Sequence, residues 1–253
     1  MFSRKERPVA GDQTSSAVED AVQRALNGDR ISRDVIVIGT SAGGLVPLSR
    51  LLSDLGPGPP ASVVVVLHRS AFAKSRLIEI LGRRARMPVV EPEHGQAIRH
   101  GVVYVAPRDR HLLVHHGVAC VTQGPREHGF RPAIDPLFRS AAASYGSRVV
   151  GVLLSGLGDD GSLGLGAIKR GGGLSLVQDP GEAEFPAMPF NAMRREDIDA
   201  VFRINEMADA LSAIALGGMV TRPPSSDDRE RATETARPRL GGATARPSSA
   251  TSP

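Results

Sequence analysis

Asp34-Val35-Ile36-Val37-Ile38-Gly39-Thr40-Ser41-Ala42-Gly43-Gly44 carries the reading of the whole chain. Val35 to Ile38 are apolar without alternation, which predicts a strand buried on both faces, as in a parallel sheet. The run stops at Gly39, and Leu45, Leu48, Leu51 and Leu52 then recur at helical spacing. A strand that passes through a glycine-rich turn into a helix is the first half of a βαβ unit.

The same alternation continues on the C-terminal side. Ser62 to Leu67 reads as a second buried strand, and a helix is expected from about Lys74 to Arg84. From Met87 to Thr122 the apolar runs shorten to Val102–Val105 and Leu112–Val114, separated by Pro, Asp and Gly, and this stretch is read as an antiparallel insertion. The α/β pattern then resumes. A helix is expected near Pro136–Ser144, a strand over Val149–Leu154, a helix after Gly161, a strand over Leu174–Val177, and a last helix over Met207–Leu216. The predicted fold is therefore α/β, a doubly wound, mostly parallel sheet with an antiparallel hairpin insertion. It occupies residues 33–220. Residues 1–32 are expected to be a flexible segment with a short helix around Ser16–Leu26. Residues 221–253, rich in Pro, Ser, Thr, Arg and Gly, are expected to be a disordered tail.

Composition narrows the function. Of 253 residues 41% are hydrophobic and 23% charged, ordinary for a globular chain. The net charge of +4 does not demand a polyanion partner, and much of the excess lies in the termini, so no nucleic acid is expected. The single Cys120, within an apolar strand, excludes an internal disulfide and reads as inert core. No apolar run approaches the roughly 18 residues of a membrane span, and no hydrophobic stretch follows the N-terminal bases. A cytoplasmic protein without direct membrane insertion is expected.

In open α/β sheets ligands bind beyond the carboxyl ends of the strands, so chemistry is sought in three loops. Gly39-Thr40-Ser41-Ala42-Gly43 spells G-x-S-x-G, the pattern of a nucleophile elbow, in which a Cβ at Gly39 or Gly43 would crowd the turn. The alternative is a tight turn with a capping serine. A dinucleotide loop fits less well. Ser41 stands where the second glycine of G-x-G-x-x-G belongs, and the second strand ends at Leu67-His68-Arg69 without a carboxylate. His68 is either a strand cap or a proton shuttle. Leu154-Ser155-Gly156-Leu157-Gly158-Asp159-Asp160-Gly161 supplies a carboxylate that can orient His68 through Nδ1–H, or merely cap a helix. Spacing does not choose between Asp159 and Asp160. An alcohol, an imidazole and a carboxylate at three strand ends suit acyl transfer. The other six histidines are read as exposed loop residues, and neither a metal nor a cofactor is expected.

With those loops in place, residues 33–216 resemble the catalytic domain of chemotaxis protein-glutamate methylesterases, the CheB type. The resemblance rests on Ile38–Gly44, on His68, and on Val105-Ala106-Pro107-Arg108-Asp109-Arg110-His111. It rests further on Arg131-Pro132-Ala133-Ile134-Asp135-Pro136-Leu137-Phe138-Arg139-Ser140-Ala141, on Leu154–Gly161 and on Met188-Pro189. It implies Ser41 as nucleophile, His68 as general base and Asp160 as the triad carboxylate. It also implies oxyanion donors at the backbone of Ala42 and Leu157. The implied reaction is hydrolysis of glutamate γ-methyl esters on methyl-accepting chemotaxis receptors, with deamidation of receptor glutamines as a companion activity.

The chain departs from the family pattern at Ala42, a common threonine, at Leu157, a methionine, and at Leu67 and Arg69, which flank the base in place of glutamine and methionine. Arg69 is read either as a contact for an acidic receptor surface or as a solvated cation. Only about 32 residues precede the first strand, too few for the family's receiver domain. A stand-alone esterase is expected, with a separate regulatory signalling protein as a further partner. Two other readings stay open: a same-fold serine hydrolase acting on another ester or amide, and a non-catalytic binding module.

Overall fold

The strand that opens the reading, β1 (Val35–Thr40), is buried at every residue, as are all but the last residue of β2 (Ser62–Leu67). α1 (Leu45–Asp54) connects them as a crossover. The computed structural model describes residues 33–69 and 76–218. The expected helix at Ser16–Leu26 and the tail from residue 221 lie outside them. After β2 come α2 (Leu77–Gly82), β3 (Val89–Val90), β4 (Val103–Val105), β5 (His111–His115) and β6 (Val118–Thr122). Next are α3 (Ile134–Tyr145), β7 (Val149–Leu153), α4 (Ser162–Arg170) and β8 (Leu174–Gln178), and finally α5 (Ala187–Arg195), β9 (Ala200–Phe202) and α6 (Ile204–Ala215).

Seven strands form one sheet in the order β3-β4-β2-β1-β7-β8-β9, every pair parallel. Strand residues alternate between two cores. Ile36, Ile38, Val63 and Val65 face α1, α2 and α6. Val35, Val37, Val64 and Val66 face α3, α4, α5 and the β5–β6 hairpin. This double burial is the physical reason for continuous rather than alternating apolar strands. The chain starts in the middle of the sheet and winds outward both ways, so the order reverses beside β1. The crevice at such a switch point, between the carboxyl ends of β1 and β7, is where doubly wound sheets bind ligands.

The antiparallel insertion is smaller than expected. Among the named strands of the described residues, β5 and β6 alone pair antiparallel, with single antiparallel bridges at Ala97–Val118 and Glu127–Phe130 beside them. Val103–Val105, expected within the insertion, is instead a parallel strand of the main sheet, between β3 and β2. Three residues carry too little period to show which sheet they join. β9 and the two-residue β3 were not foreseen for the same reason, and the nine-residue α5 was not foreseen either.

α3 and α4 pack side by side over the β1–β7 face, and Gly164 permits their approach. A Cβ there would lie 2.5 Å from Phe138 Cβ and 3.0 Å from Asp135 Oδ1. In an isolated helix Gly→Ala stabilises by about 1 kcal/mol. Here overpacking reverses the sign: Gly164→Ala is expected to lower the unfolding free energy by about 1–3 kcal/mol. Urea denaturation measures it, and a gain in stability would refute the close packing.

Candidate functional site

Three adjacent strands, β2, β1 and β7, end at one place. His68 N–H donates to Thr40 O at 3.0 Å, Ser41 N–H to Ser155 O at 3.0 Å, and Leu154 N–H to Gly39 O at 2.9 Å, so the pairing runs into the loops. The glycines of the Ser41 turn answer to neighbours. A Cβ on Gly39 would lie 2.3 Å from Ile134 Cγ2. Gly43 has φ of +67°, and its Cβ would meet Glu184 and Phe185 within 3 Å. Ser155 ties the loops together: its hydroxyl donates to Ala42 O and accepts from Phe185 N–H.

This frame brings Ser41, His68 and Asp160 into one chain of hydrogen bonds. Ser41 Oγ is 3.1 Å from His68 Nδ1, and His68 Nε2 is 2.8 Å from Asp160 Oδ2. The ring is turned opposite to expectation, which put Nδ1–H toward the carboxylate. Ser41 comes from the strand next to β2 and Asp160 from one strand further. The ring nitrogen nearer the backbone therefore meets the serine, and the farther one meets the aspartate. Neutral His68 in this geometry is the Nε2–H tautomer. His68 and Asp160 are buried, while Ser41 is half-exposed.

Burial distinguishes the two carboxylates that spacing did not. Asp160 Oδ2 also accepts Ile134 N–H at 2.8 Å, and Oδ1 accepts Asp135 N–H at 2.9 Å. Asp160 therefore caps α3, satisfying N–H groups of its first turn that lack intrahelical partners. Asp135 returns the arrangement: its Oδ1 accepts Gly161 and Gly164 N–H at the start of α4. Burial pushes the Asp160 carboxyl up, but the hydrogen bonds from His68, Ile134 and Asp135 outweigh it and hold the group below its ordinary value. Asp159 is partly exposed and pairs with Arg195 at 2.6 Å.

The backbone of residues 156–157 runs beside the serine, since a Cβ on Gly156 would lie 2.8 Å from Ser41 Cβ and 2.1 Å from Met188 Sδ. Gly156 N–H donates to Phe185 O. Among the described residues Ala42 N–H and Leu157 N–H have no acceptor, which leaves both free for a ligand.

Three residues at the site had no assigned role in the sequence. Phe130 stacks on His68 with ring centroids 3.7 Å apart and planes 8° from parallel. Glu127 and Phe130 bridge across His128 and Gly129, whose φ angles are +50° and +81°, as the central residues of a type I′ turn require. That turn aims Phe130 at His68 and His128 at Asp135, with His128 Nε2 2.9 Å from Asp135 Oδ2. Asp135 and Gly129 had a chemical signal, a buried acid and a turn glycine. Phe130 had none.

Several expectations need correction. His111 is buried, not an exposed loop residue. Its Nε2–H donates to Pro125 O, and its Nδ1 accepts Ala133 N–H. Arg69 is not solvated: it pairs with Glu91 and donates to Ala106 O. Cys120 lies in β6 but is only half-buried. Among the described residues, ligand atoms of His128, Asp135 and Asp160 lie within 4.8 Å of one another. A cation there would compete with the hydrogen bonds those groups already make. No helix among the described residues is long and apolar enough to cross a membrane.

Residues 36–211 match the family model described as CheB methylesterase. The chain belongs to the CheB methylesterase family. A protein-glutamate methylesterase/protein-glutamine glutaminase of Anaeromyxobacter dehalogenans is 40% identical over 200 residues, covering 75% of this chain and 59% of that protein. A putative one of Leptospira interrogans is 36% identical over 177 residues, covering 70% of this chain and 92% of that protein. The chain thus spans somewhat over half the length of the first relative and nearly all of the second. The CheB methylesterase catalytic domain of Thermotoga maritima superposes with a TM-score of 0.68 at 29% identity, over 74% of this chain and all of that one.

Two sequence blocks of this CheB-family chain meet at the hairpin, where Arg131 Nε donates to Asp109 Oδ1 at 3.1 Å. Below the site, burial pushes the His128 imidazole down, but Asp160, Asp135 and Asp159 together raise it above its usual value. A raised folded value means His128 stabilises the fold fully below its unfolded pKa of about 6.5 and loses that contribution as pH rises through the folded value. His128→Asn, which tolerates positive φ, is expected to lower the urea midpoint at pH 5.5 and to approach wild type at pH 9. An equal loss at both pH values would sink the charge argument.

Proposed function

We propose that this chain is a protein-glutamate methylesterase that hydrolyses glutamate γ-methyl esters on methyl-accepting chemotaxis receptors, with receptor glutamines deamidated by the same chemistry. The observation that carries the reading is the unbroken hydrogen-bond chain from Ser41 Oγ through both His68 nitrogens to Asp160. Membership of the CheB methylesterase family and the names of the relatives support the substrate class.

In the proposed reaction, His68 Nδ1 takes the hydroxyl proton as Ser41 Oγ attacks the ester carbon. Negative charge collects on the carbonyl oxygen, where the N–H groups of Ala42 and Leu157 receive it; preorganised donors of this kind supply a large share of catalysis. Both donors are backbone groups, so the Ala42 and Leu157 departures retain them. The C–O bond to the methoxy group breaks, and His68 returns its proton to release methanol. Water then attacks the acyl-serine, giving up a proton to His68, and the glutamate carboxylate leaves as the Ser41 hydroxyl re-forms. Asp160 stays ionised throughout and balances the imidazolium. With a glutamine the leaving group is ammonia.

Methanol release from methylated receptors tests the reading. Ser41→Ala is expected to lower kcat by several orders of magnitude, roughly 10⁴ or more. Asp160→Asn is expected to cost about 10³–10⁴, because its amide turns an N–H toward groups that are themselves donors. Full activity in Ser41→Ala would overturn the mechanism. Turnover of small esters with no methanol from any receptor would favour a same-fold hydrolase of other esters. A folded protein whose Ser41 fails to react with a fluorophosphonate would favour a binding module.

A further inference from the structure

The turn that carries Phe130 is tied down on both sides. Glu127 and Phe130 exchange backbone hydrogen bonds at 3.1 and 2.8 Å. Nη2 of Arg139, on α3, donates to both carboxylate oxygens of Glu127, each at 2.8 Å. Both ring nitrogens of His128 face carboxylates, Asp135 at 2.9 Å and Asp159 at 3.4 Å. Arg131 donates to Asp109 and to the Gly124 carbonyl. From this frame the Phe130 ring is laid flat on His68. Phe130 keeps 38% of its surface in water, so its place is not that of a core residue. The His68 side chain that it covers keeps only 3%.

We infer that Phe130 is a positioning residue for the reaction at Ser41, whose ring holds the plane of His68 while the imidazole takes up and returns a proton. The inference rests on the methylesterase reading above. Asp160 fixes His68 at Nε2, but the partner at Nδ1 is the hydroxyl that reacts. Once Ser41 Oγ is bonded to the acyl carbon, that hydroxyl is gone and Asp160 remains as the polar anchor. The torsion of a histidine ring about Cβ–Cγ has a broad well rather than a sharp staggered one. Nε2 lies nearer that axis than Nδ1, so a hydrogen bond at Nε2 resists the rotation only in part. The stack supplies the rest, because turning the imidazole would drive its edge into the phenyl face. A phenyl face also attracts a cation, so the stack persists when the ring becomes imidazolium. Asp135 and Arg139, which anchor the turn, stand on the helix whose first turn Asp160 caps. One helix end thus fixes both the acid at the edge of the His68 ring and the aromatic on its face.

Three substitutions test the role. Phe130→Ala removes the ring, Phe130→Leu keeps apolar volume without a flat face, and Phe130→Tyr keeps the face. In methanol release from methylated receptors, the first two are expected to lower kcat about tenfold to a hundredfold with KM within about twofold, the loss that a slightly misplaced reacting group produces. Phe130→Tyr is expected to restore kcat to within about threefold of wild type. The nuclear-relaxation order parameter of the His68 ring is expected to fall in Phe130→Ala and Phe130→Leu and to hold in Phe130→Tyr. Unchanged kcat in Phe130→Ala, an equal loss in Phe130→Tyr, or a His68 ring as rigid in Phe130→Ala as in wild type overturns the positioning role. A raised KM at unchanged kcat makes Phe130 a substrate contact and overturns it as well. No methanol from any receptor with the wild-type protein overturns the esterase reading instead. The rate at which a fluorophosphonate labels Ser41 then carries the comparison: slower labelling in Phe130→Ala upholds the positioning role, and equal rates overturn it.

Discussion

The carboxylate of Asp160 accepts three N–H groups in the protein interior, one from His68 and two from the first turn of α3. An unpaired carboxylate at that depth would be forced to take up a proton. The donors keep it ionised, and so it holds both the His68 ring and the end of α3 in place. Because Asp135 sits in that first turn and caps α4 in return, the two helices over the β1–β7 face are locked by exchanged acids rather than by their own N-cap residues. Neither helix has a side-chain cap of its own. The site and the packing of that face are therefore one interaction seen from two sides, and Gly39 and Gly164 are the small residues that let the backbones come close enough for it.

Much of this was legible in the chain, and the illegible part has a common cause. Val35–Ile38 and Ser62–Leu67 announced a parallel sheet because burial on both faces erases alternation. Ser41 and His68 were legible because they end such strands, where doubly wound sheets bind ligands. Asp160 could be separated from Asp159 only by likeness to a family. The physical difference, one carboxylate under α3 and the other beside Arg195, depends on residues 25 to 36 positions away. The contacts of Phe130 and His128 were not legible either. They are placed by a tight turn whose neighbours in space, His68 and Asp135, share no sequence period with it. Arg69 was read either as a contact for an acidic receptor surface or as a solvated cation, and its partner Glu91, 22 residues on, was not legible. Short elements were also lost: β3 and β4 hold two and three residues, and joined the parallel sheet where a separate insertion was expected.

The stack of Phe130 on His68 bears on how such a site works in water. His68 is buried under an aromatic plane on one side and anchored at Nε2 to a buried acid. The open approach is along Nδ1, past Ser41. Excluding water from the ring strengthens the hydrogen bonds at both nitrogens, since their electrostatic energy rises as the local dielectric falls. It also leaves the imidazole with few rotamers to sample, so little ordering remains to be done when a substrate arrives. The partly exposed Phe130 and Leu157 then give the rim an apolar character.

The edge of the sheet thus separates two kinds of electrostatics. Around Asp160 the charges are buried, hydrogen-bonded and little affected by salt, and they set the geometry of His68 and Ser41. Across β2, β4 and β3 the charges are arginines and glutamates that line an open cleft, with weaker and longer-ranged effects. Arg69 spans the boundary. It follows His68 directly, is largely buried, and its Nη2 donates to Glu91 and the Ala106 carbonyl. A cation placed there is costly without those partners. With them it fixes the end of β2, and through it the backbone on which the proposed base is carried. The departure that looked like a change of surface contact is, in the folded chain, first a change in how His68 is held.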